Sequence, residues 1–306
     1  MIEVEHLTKR FGDRLALDDL SFRVDAGKVT AFLGPNGAGK TTTMRLILGL
    51  DRPTSGRALV GGRAFRDYVD PICQVGALLD TKFAHPRRTA FDHLLVIAAT
   101  HRIPRSRVHE VIEETGLESV AGERVLKFSL GMTQRLGIAS ALLGSPRILI
   151  LDEPVNGLDI DGVSWFRELC RRYAADGAAV FLSSHLMSEV ERVADQVIVL
   201  GRGRVLKDAP LFEFRQGAAV VSVVTEHATE FAAHLERLGA SVLMSGDHSL
   251  SVTGLSAAEI GSAALRQGIA LERLNEESRS LEDSYRVLTD QDIEFRSMTN
   301  SGDVAE

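Results

Sequence analysis

The sequence predicts an α/β chain built on a parallel sheet, interrupted by a helical insertion and followed by a small α+β unit. Three observations predict it. Short, unbroken apolar runs at Thr30–Leu33, Ile148–Leu151, Val180–Ser183 and Val197–Leu200 have the character of strands buried on both faces. Stretches of helical spacing separate these runs. Around Gln216–Ala218 the pattern changes to strand, helix, two strands, helix and strand, the βαββαβ order of a ferredoxin-like unit.

Each element follows in turn. Ile2 and Val4, then Phe22 and Val24, alternate with polar residues as half-buried strands do. Thr30–Leu33 stops abruptly at Gly34, and the segment TTTMRLILGL that begins at Thr41 is helical. Val75–Leu79 is a further strand. From about residue 83 to 143 the pattern is helical, with Thr89 capping a segment through Ala99 and further helices near Ser106–Thr115 and Thr133–Leu143. The C-terminal unit reads as strand Val220–Thr225, helix Thr229–Leu238, strands Ser241–Met244 and Ser249–Val252, helix Ala257–Gln267 and strand Ala270–Leu274. A closing helix spans Leu281–Leu288. Val221, Val223, Leu235 and Leu238 are expected in its core. The expected domains are residues 1–215 and 217–290, with a polar tail over 291–306.

Composition narrows the classes. With 306 residues, 44% of them hydrophobic and 25% charged, the chain can build about two cores and is not disordered. Lys and Arg total 35 against 42 Asp and Glu, and a net charge of −7 excludes a general nucleic-acid binder. Cys73 and Cys170 are too few for a disulfide framework or zinc site and read as two core thiols of a reducing compartment. The charged opening MIEVEHLTKRFGD is not a signal peptide. The apolar stretch LLVIAA falls far short of the ~20 residues of a membrane span.

The most specific motif is Gly34-Pro35-Asn36-Gly37-Ala38-Gly39-Lys40-Thr41, a complete G-x-x-x-x-G-K-[ST]. Glycines let successive backbone N–H groups curve around a phosphate, and the following helix adds its partial positive charge. Lys40 is expected to reach the β/γ-phosphates, the Thr41 hydroxyl to ligate Mg²⁺, and Thr42 to bond near the α-phosphate. A nucleoside triphosphate with Mg²⁺ is therefore the expected ligand.

Further motifs follow in order, and together they resemble those of ABC transporter ATPase subunits over about residues 1–215. Phe11 stands where that family places an aromatic residue that stacks on adenine. Ser129-Leu130-Gly131-Met132 resembles the LSGGQ signature in degenerate form. Arg147–Asp152 is similar to the Walker B strand, followed by Glu153; Asn156–Asp159 matches the D-loop and His185 the switch histidine. The nearest flavour is the bacitracin and daunorubicin type of drug exporter, whose ATPase subunits also carry a small C-terminal domain.

The residues have physical roles beside the resemblance. Asp152 closes a buried strand, where its carboxylate can hold Mg²⁺. Glu153 would orient and deprotonate the attacking water as general base. His185 would bond the γ-phosphate and keep that water in place. Ser129 suits the N-cap of the helix behind it, and with the Gly131 amide it makes an anion site. One departure stands out: where the family usually has Gln, this chain has Asp80, a metal ligand that cannot donate a hydrogen bond when ionised.

The resemblance implies ATP as the nucleotide and a head-to-tail dimer of ATPase subunits, homo- or heterodimeric, at the cytoplasmic face of the membrane. A separately encoded permease would dock near Asp80–Pro86. One phosphate loop and one signature per chain mean that a complete site needs two chains. Two other classes compete: a soluble ABC ATPase acting on the ribosome or nucleic acid, and a sensor whose C-terminal domain binds a ligand. The single cassette, the absence of heptads and the acidic charge oppose the first; no ligand motif supports the second.

Overall fold

The computed structural model describes residues 1–80, 83–215, 220–277 and 280–289. It divides into two compact units, Met1–Pro210 joined by the described residues Leu288 and Thr289, and Leu211–Val287.

The first unit begins with a hairpin of β1 (Ile2–Phe11) and β2 (Arg14–Val24), then β3 (Val29–Leu33), which runs into the phosphate loop and α1 (Lys40–Ile47). β4 (Ser55–Val60) and β5 (Val75–Leu78) follow. The helical insertion holds α2 (Ala90–Thr100), α3 (Arg105–Glu114) and α4 (Leu130–Leu142). Then come β6 (Ile148–Leu151), α5 (Ile160–Ala175), β7 (Ala179–Ser183), α6 (Met187–Val193), β8 (Gln196–Gly201) and β9 (Arg204–Pro210).

The main sheet has the order β5-β6-β7-β3-β8-β9, parallel except for β9 against β8. β6, β7 and β3 are neighbours, so the loops at their C-terminal ends come together, as ligand sites of parallel sheets require. An antiparallel sheet, β2-β1-β4, lies in the same unit. A ring cluster in the core shared by the two sheets holds them together: Phe22 of β2 lies 5.5 Å from Phe32 of β3 and 5.8 Å from Phe181 of β7, with Phe32 and Phe181 at 5.1 Å. Tilted pairs at these separations contribute about 0.5–1.5 kcal/mol each beyond the area they bury.

Local chemistry sets the insertion. The Thr89 side chain accepts from the Asp92 N–H at 3.0 Å, capping α2. Ser129 likewise accepts from the Met132 N–H at 3.2 Å, so α4 starts at Leu130, earlier than the apolar spacing indicated. Such caps contribute ~1 kcal/mol each. β4 and β9 show no clear alternation of apolar and polar residues. Both are edge strands, and Gly56 and Arg57 in one and Lys207, Asp208 and Pro210 in the other hide the period of two. Cys170 is buried, but Cys73 is exposed in a 3₁₀ turn at Pro71–Cys73, so the two are not both core thiols. Burial pushes the Cys170 thiol far up.

The second unit contains α7 (Leu211–Arg215), β10 (Val220–Val224), α8 (Ala228–Arg237), β11 (Ser241–Gly246), β12 (Ser249–Thr253), α9 (Ala257–Gln267), β13 (Arg273–Glu277) and all but the last two residues of α10 (Leu281–Thr289). Its sheet has the order β11-β12-β10-β13, antiparallel throughout. Val221, Val223 and Leu235 are fully buried in its core. Leu238 is not: α8 ends at Arg237, and Leu238 lies in the turn before Gly239, 46% exposed. The last strand also differs from the expected Ala270–Leu274. The Ala270 carbonyl accepts from the Thr225 hydroxyl at 2.8 Å, Leu271 packs on the core, and the polar Arg273–Glu277 forms the edge strand. Charged residues are at home on such an edge. The polar tail over 291–306 lies outside the described residues.

Candidate active site

A cleft of about 870 Å³ opens where β3, β5 and β6 end. Gly39, in the left-handed region at φ 108°, turns the loop into α1; a Cβ there would sit 2.4 Å from Leu17 Cδ2. Asn36, Gly37, Gly39, Lys40, Thr41 and Thr42 line the cleft. Gly34 and Pro35 contribute their carbonyls instead, accepting from Lys40 Nζ at 2.7 and 3.3 Å. Ala38 is buried, and its carbonyl accepts from the Gly203 N–H of the β8–β9 turn at 3.1 Å. Burial holds the Lys40 ammonium below its ordinary pKa, against the opposing pull of Glu153 and Asp152. A phosphate offers this buried cation a better partner than two neutral carbonyls do.

The acidic wall lies opposite. Thr41 Oγ1 donates to Asp152 Oδ2 at 2.5 Å, and Ser183 Oγ donates to Asp152 Oδ1 at 2.5 Å. Glu153 sits at φ 48°, with its N–H donating to Ser183 Oγ at 2.8 Å. His185 Nδ1 lies 2.7 Å from Glu153 Oε2. An ionised carboxylate only accepts, so Nδ1 carries the proton and Nε2 is left for another partner. Asp80 lines the cleft just beyond β5. Phe11 stands at its mouth as the last residue of β1, half exposed, with Lys9 Nζ 4.7 Å from its ring centre.

Several expected residues lie elsewhere. Ser129 is exposed at the start of α4 and does not line the cleft. Gly131 is required because α4 passes close to the D-loop: a Cβ would approach the Gly157 carbonyl oxygen to 2.8 Å. Asp159 caps α5, its Oδ1 accepting from the Gly162 N–H at 2.8 Å, and it does not line the cleft either.

Other lining residues went unnoticed in the sequence. Arg14, the first residue of β2, and Arg202, in the β8–β9 turn, line the cleft, and arginines at strand ends and turns carry no signal. Asn156, named in the D-loop match without a role of its own, also lines the cleft. Gln134 is 1% exposed on the otherwise small or apolar buried face of α4, and that contrast was legible. Ser183, at the end of β7, is buried behind the cleft wall and touches the site only through Asp152 and the Glu153 N–H; strand spacing marks it as strand and nothing more.

Fold and cleft together define a nucleotide-binding ATPase of the phosphate-loop class. Comparison with known proteins agrees. The family model described as ABC transporter matches residues 17–156, and a domain of unknown function (DUF8746) matches residues 219–282. The bacitracin transport ATP-binding protein BcrA of Enterococcus faecalis is 31% identical over 302 residues, covering 94% of this chain and 96% of that protein. The protein of the same name from Bacillus licheniformis is 40% identical over 215 residues, 69% of this chain and 70% of its own. A solved dimeric ATP-binding cassette in a post-hydrolysis state with ADP and Pi has a TM-score of 0.63 at 25% identity, covering 69% of this chain and 99% of that one. The chain belongs to the ABC transporter family. It is an ATP-binding and ATP-hydrolysing transporter subunit, and none of its described helices is long and apolar enough to cross a membrane.

Proposed function

We propose that this subunit drives export of a peptide antibiotic of the bacitracin type through a separate permease at the cytoplasmic membrane face. What supports the cargo class is the relative named for bacitracin transport, which matches both units. What carries the hydrolytic mechanism is the Glu153–His185 contact at 2.7 Å beside the phosphate loop. Glu153 accepts the proton of the attacking water, and His185 orients that carboxylate through Nδ1–H. Lys40 and the loop amides hold the phosphates, and Phe11 stacks on adenine.

The donor set fits Mg²⁺. Thr41 Oγ1 and Asp152 Oδ2 are hard oxygens 2.5 Å apart, with Asp80 lining the same cleft. Among the described residues no group of three or more His, Cys, Asp or Glu could hold a metal. Mg²⁺ suits such a site, since it keeps several waters and takes one or two carboxylates plus phosphate oxygens. When bound it would neutralise charge developing on the phosphates. Asp80→Asn is expected to weaken Mg²⁺-dependent activity, and a Mg²⁺ titration of ATPase rate checks it. Unchanged or higher activity would remove Asp80 from the metal site.

Because Ser129 and Gly131 lie outside the cleft of their own chain, they serve the nucleotide held by a second copy. The α4 N-terminus and the Ser129 hydroxyl proton supply donors for that γ-phosphate. The permease docks in the apolar groove of about 540 Å³ between α2 and the core, lined by Leu48, Phe65, Ile72, Phe83 and Ile97. Residues 81–82 of the expected docking loop lie outside the described residues.

The C-terminal unit is ferredoxin-like in strand order and serves as a dimer contact between hydrolysis cycles. A chain cut near Phe214–Gly217 is expected to bind ATP but to self-associate more weakly than the full chain without nucleotide. Sedimentation of both at matched concentration checks this. Equal dimer fractions would return the unit to a spacer or sensor.

A further inference from the structure

Gln134 lies on the buried face of α4, the helix that starts at the Ser129 cap. Its side chain lines the nucleotide cleft beside Glu153 and Asn156. The amide nitrogen donates to the Glu153 carbonyl oxygen at 3.3 Å. The amide oxygen is buried and has no hydrogen-bond partner. Buried amide oxygens without a donor are uncommon, and each calls for a reason.

The backbone of Glu153 supplies one. A non-glycine residue at φ 48° holds that conformation only where its surroundings fix it. Glu153 is held at both ends. Its N–H donates to Ser183 Oγ at 2.8 Å, and its carbonyl accepts from the Asn156 N–H at 3.2 Å as well as from Gln134. Ser183 and Asn156 belong to the sheet and to the loop following Glu153. Gln134 reaches it from the helical insertion, on the helix whose first turn carries Ser129 and Gly131.

We propose that Gln134 is a positioning residue for hydrolysis: it ties the signature helix to the Glu153 peptide and so fixes the direction in which the Glu153 carboxylate points. The open Oε1 is the acceptor for a water brought in with the nucleotide. A shift of α4 relative to the sheet therefore moves the Glu153 carboxylate, even though α4 supplies no group that takes the proton. This inference rests on Glu153 as general base.

The test uses the full chain, with Gln134→Met, Gln134→Glu and Glu153→Gln. Gln134→Met keeps the volume and removes both polar atoms. It is expected to lower kcat about tenfold to a hundredfold, the scale of a small misplacement at a reacting group, with KM and ATP affinity unchanged. In the Glu153→Gln background Gln134→Met should slow hydrolysis no further, because there is no base left to aim. Gln134→Glu adds a readout that loss of packing would not move. A buried carboxyl stays neutral to a higher pH than an exposed one, and its O–H can donate to the Glu153 carbonyl. Its activity relative to wild type should therefore fall as pH rises, while the Gln134→Met ratio stays flat. If Glu153→Gln abolishes turnover but Gln134→Met keeps the wild-type kcat, the positioning role is wrong and the base assignment stands. If Glu153→Gln keeps its turnover, both fall. Should Gln134→Met fail to fold, a pH-independent Gln134→Glu ratio overturns the proposal by itself.

Discussion

Glu153→Gln is expected to cut ATP turnover by about 10²–10⁴-fold, the contribution of a positioned general base. The substitution changes only the carboxylate. The backbone anchors from Ser183 and Asn156 do not depend on the side chain, so the left-handed turn that aims it survives. An amide oxygen can still accept from His185 Nδ1, which now sits 2.7 Å from Glu153 Oε2. What the amide cannot do is take a proton from water. ATP affinity therefore stays, and ATP-loaded dimers accumulate because they close without reopening. Single-turnover hydrolysis beside a nucleotide titration and sedimentation with ATP checks all three. Turnover within about tenfold of wild type would remove Glu153 from the role of base.

Lys40→Ala fails at the opposite stage. Lys40 is 8% exposed, and among the described residues its ammonium donates to the neutral Gly34 and Pro35 carbonyls. A phosphate gives this cation an anionic acceptor in place of a neutral one, and hydrogen bonds to charged groups contribute roughly 1.5–3 kcal/mol each. ATP affinity is expected to fall by about 10- to 100-fold, read by direct titration. The rise in melting temperature on adding ATP should shrink in step, since ligand stabilisation follows [L]/Kd. The two variants separate binding from chemistry: one holds ATP and does not cleave it, the other does not hold it. Undiminished affinity in Lys40→Ala would mean that the loop amides alone carry the phosphates.

The sequence was most legible where the backbone itself imposes residue type. Gly39 must be glycine because it turns left-handed against Leu17, and such demands leave a fixed pattern. The β3, β6, β7 and β8 runs were legible for a related reason: strands buried on both faces admit nothing polar in their middle. Edge strands make no such demand, and β4 and β9 passed unnoticed. Leu238 and Cys73 show the limit at single residues, since an apolar side chain next to a helix end or in a turn can face either way. In the cleft, Glu153 and His185 were each named, but their direct contact depends on the pairing of β6 with β7 and on a left-handed residue that no motif encodes. Arg14, Arg202 and Ser183 arrive by topology alone.

The ring cluster of Phe22, Phe32 and Phe181 constrains how this chain can vary. From Phe32 the backbone runs into the phosphate loop, and from Phe181 it runs into Ser183 and His185. Loss of one ring would slacken both walls of the cleft together, at a cost of about 3–5 kcal/mol. That is a large share of the roughly 5–15 kcal/mol by which a domain holds its fold. Drift at these three positions is therefore not independent. A lineage that shrinks one ring must enlarge a neighbour on the facing sheet, whereas the exposed turns around the cleft mouth can diverge one residue at a time.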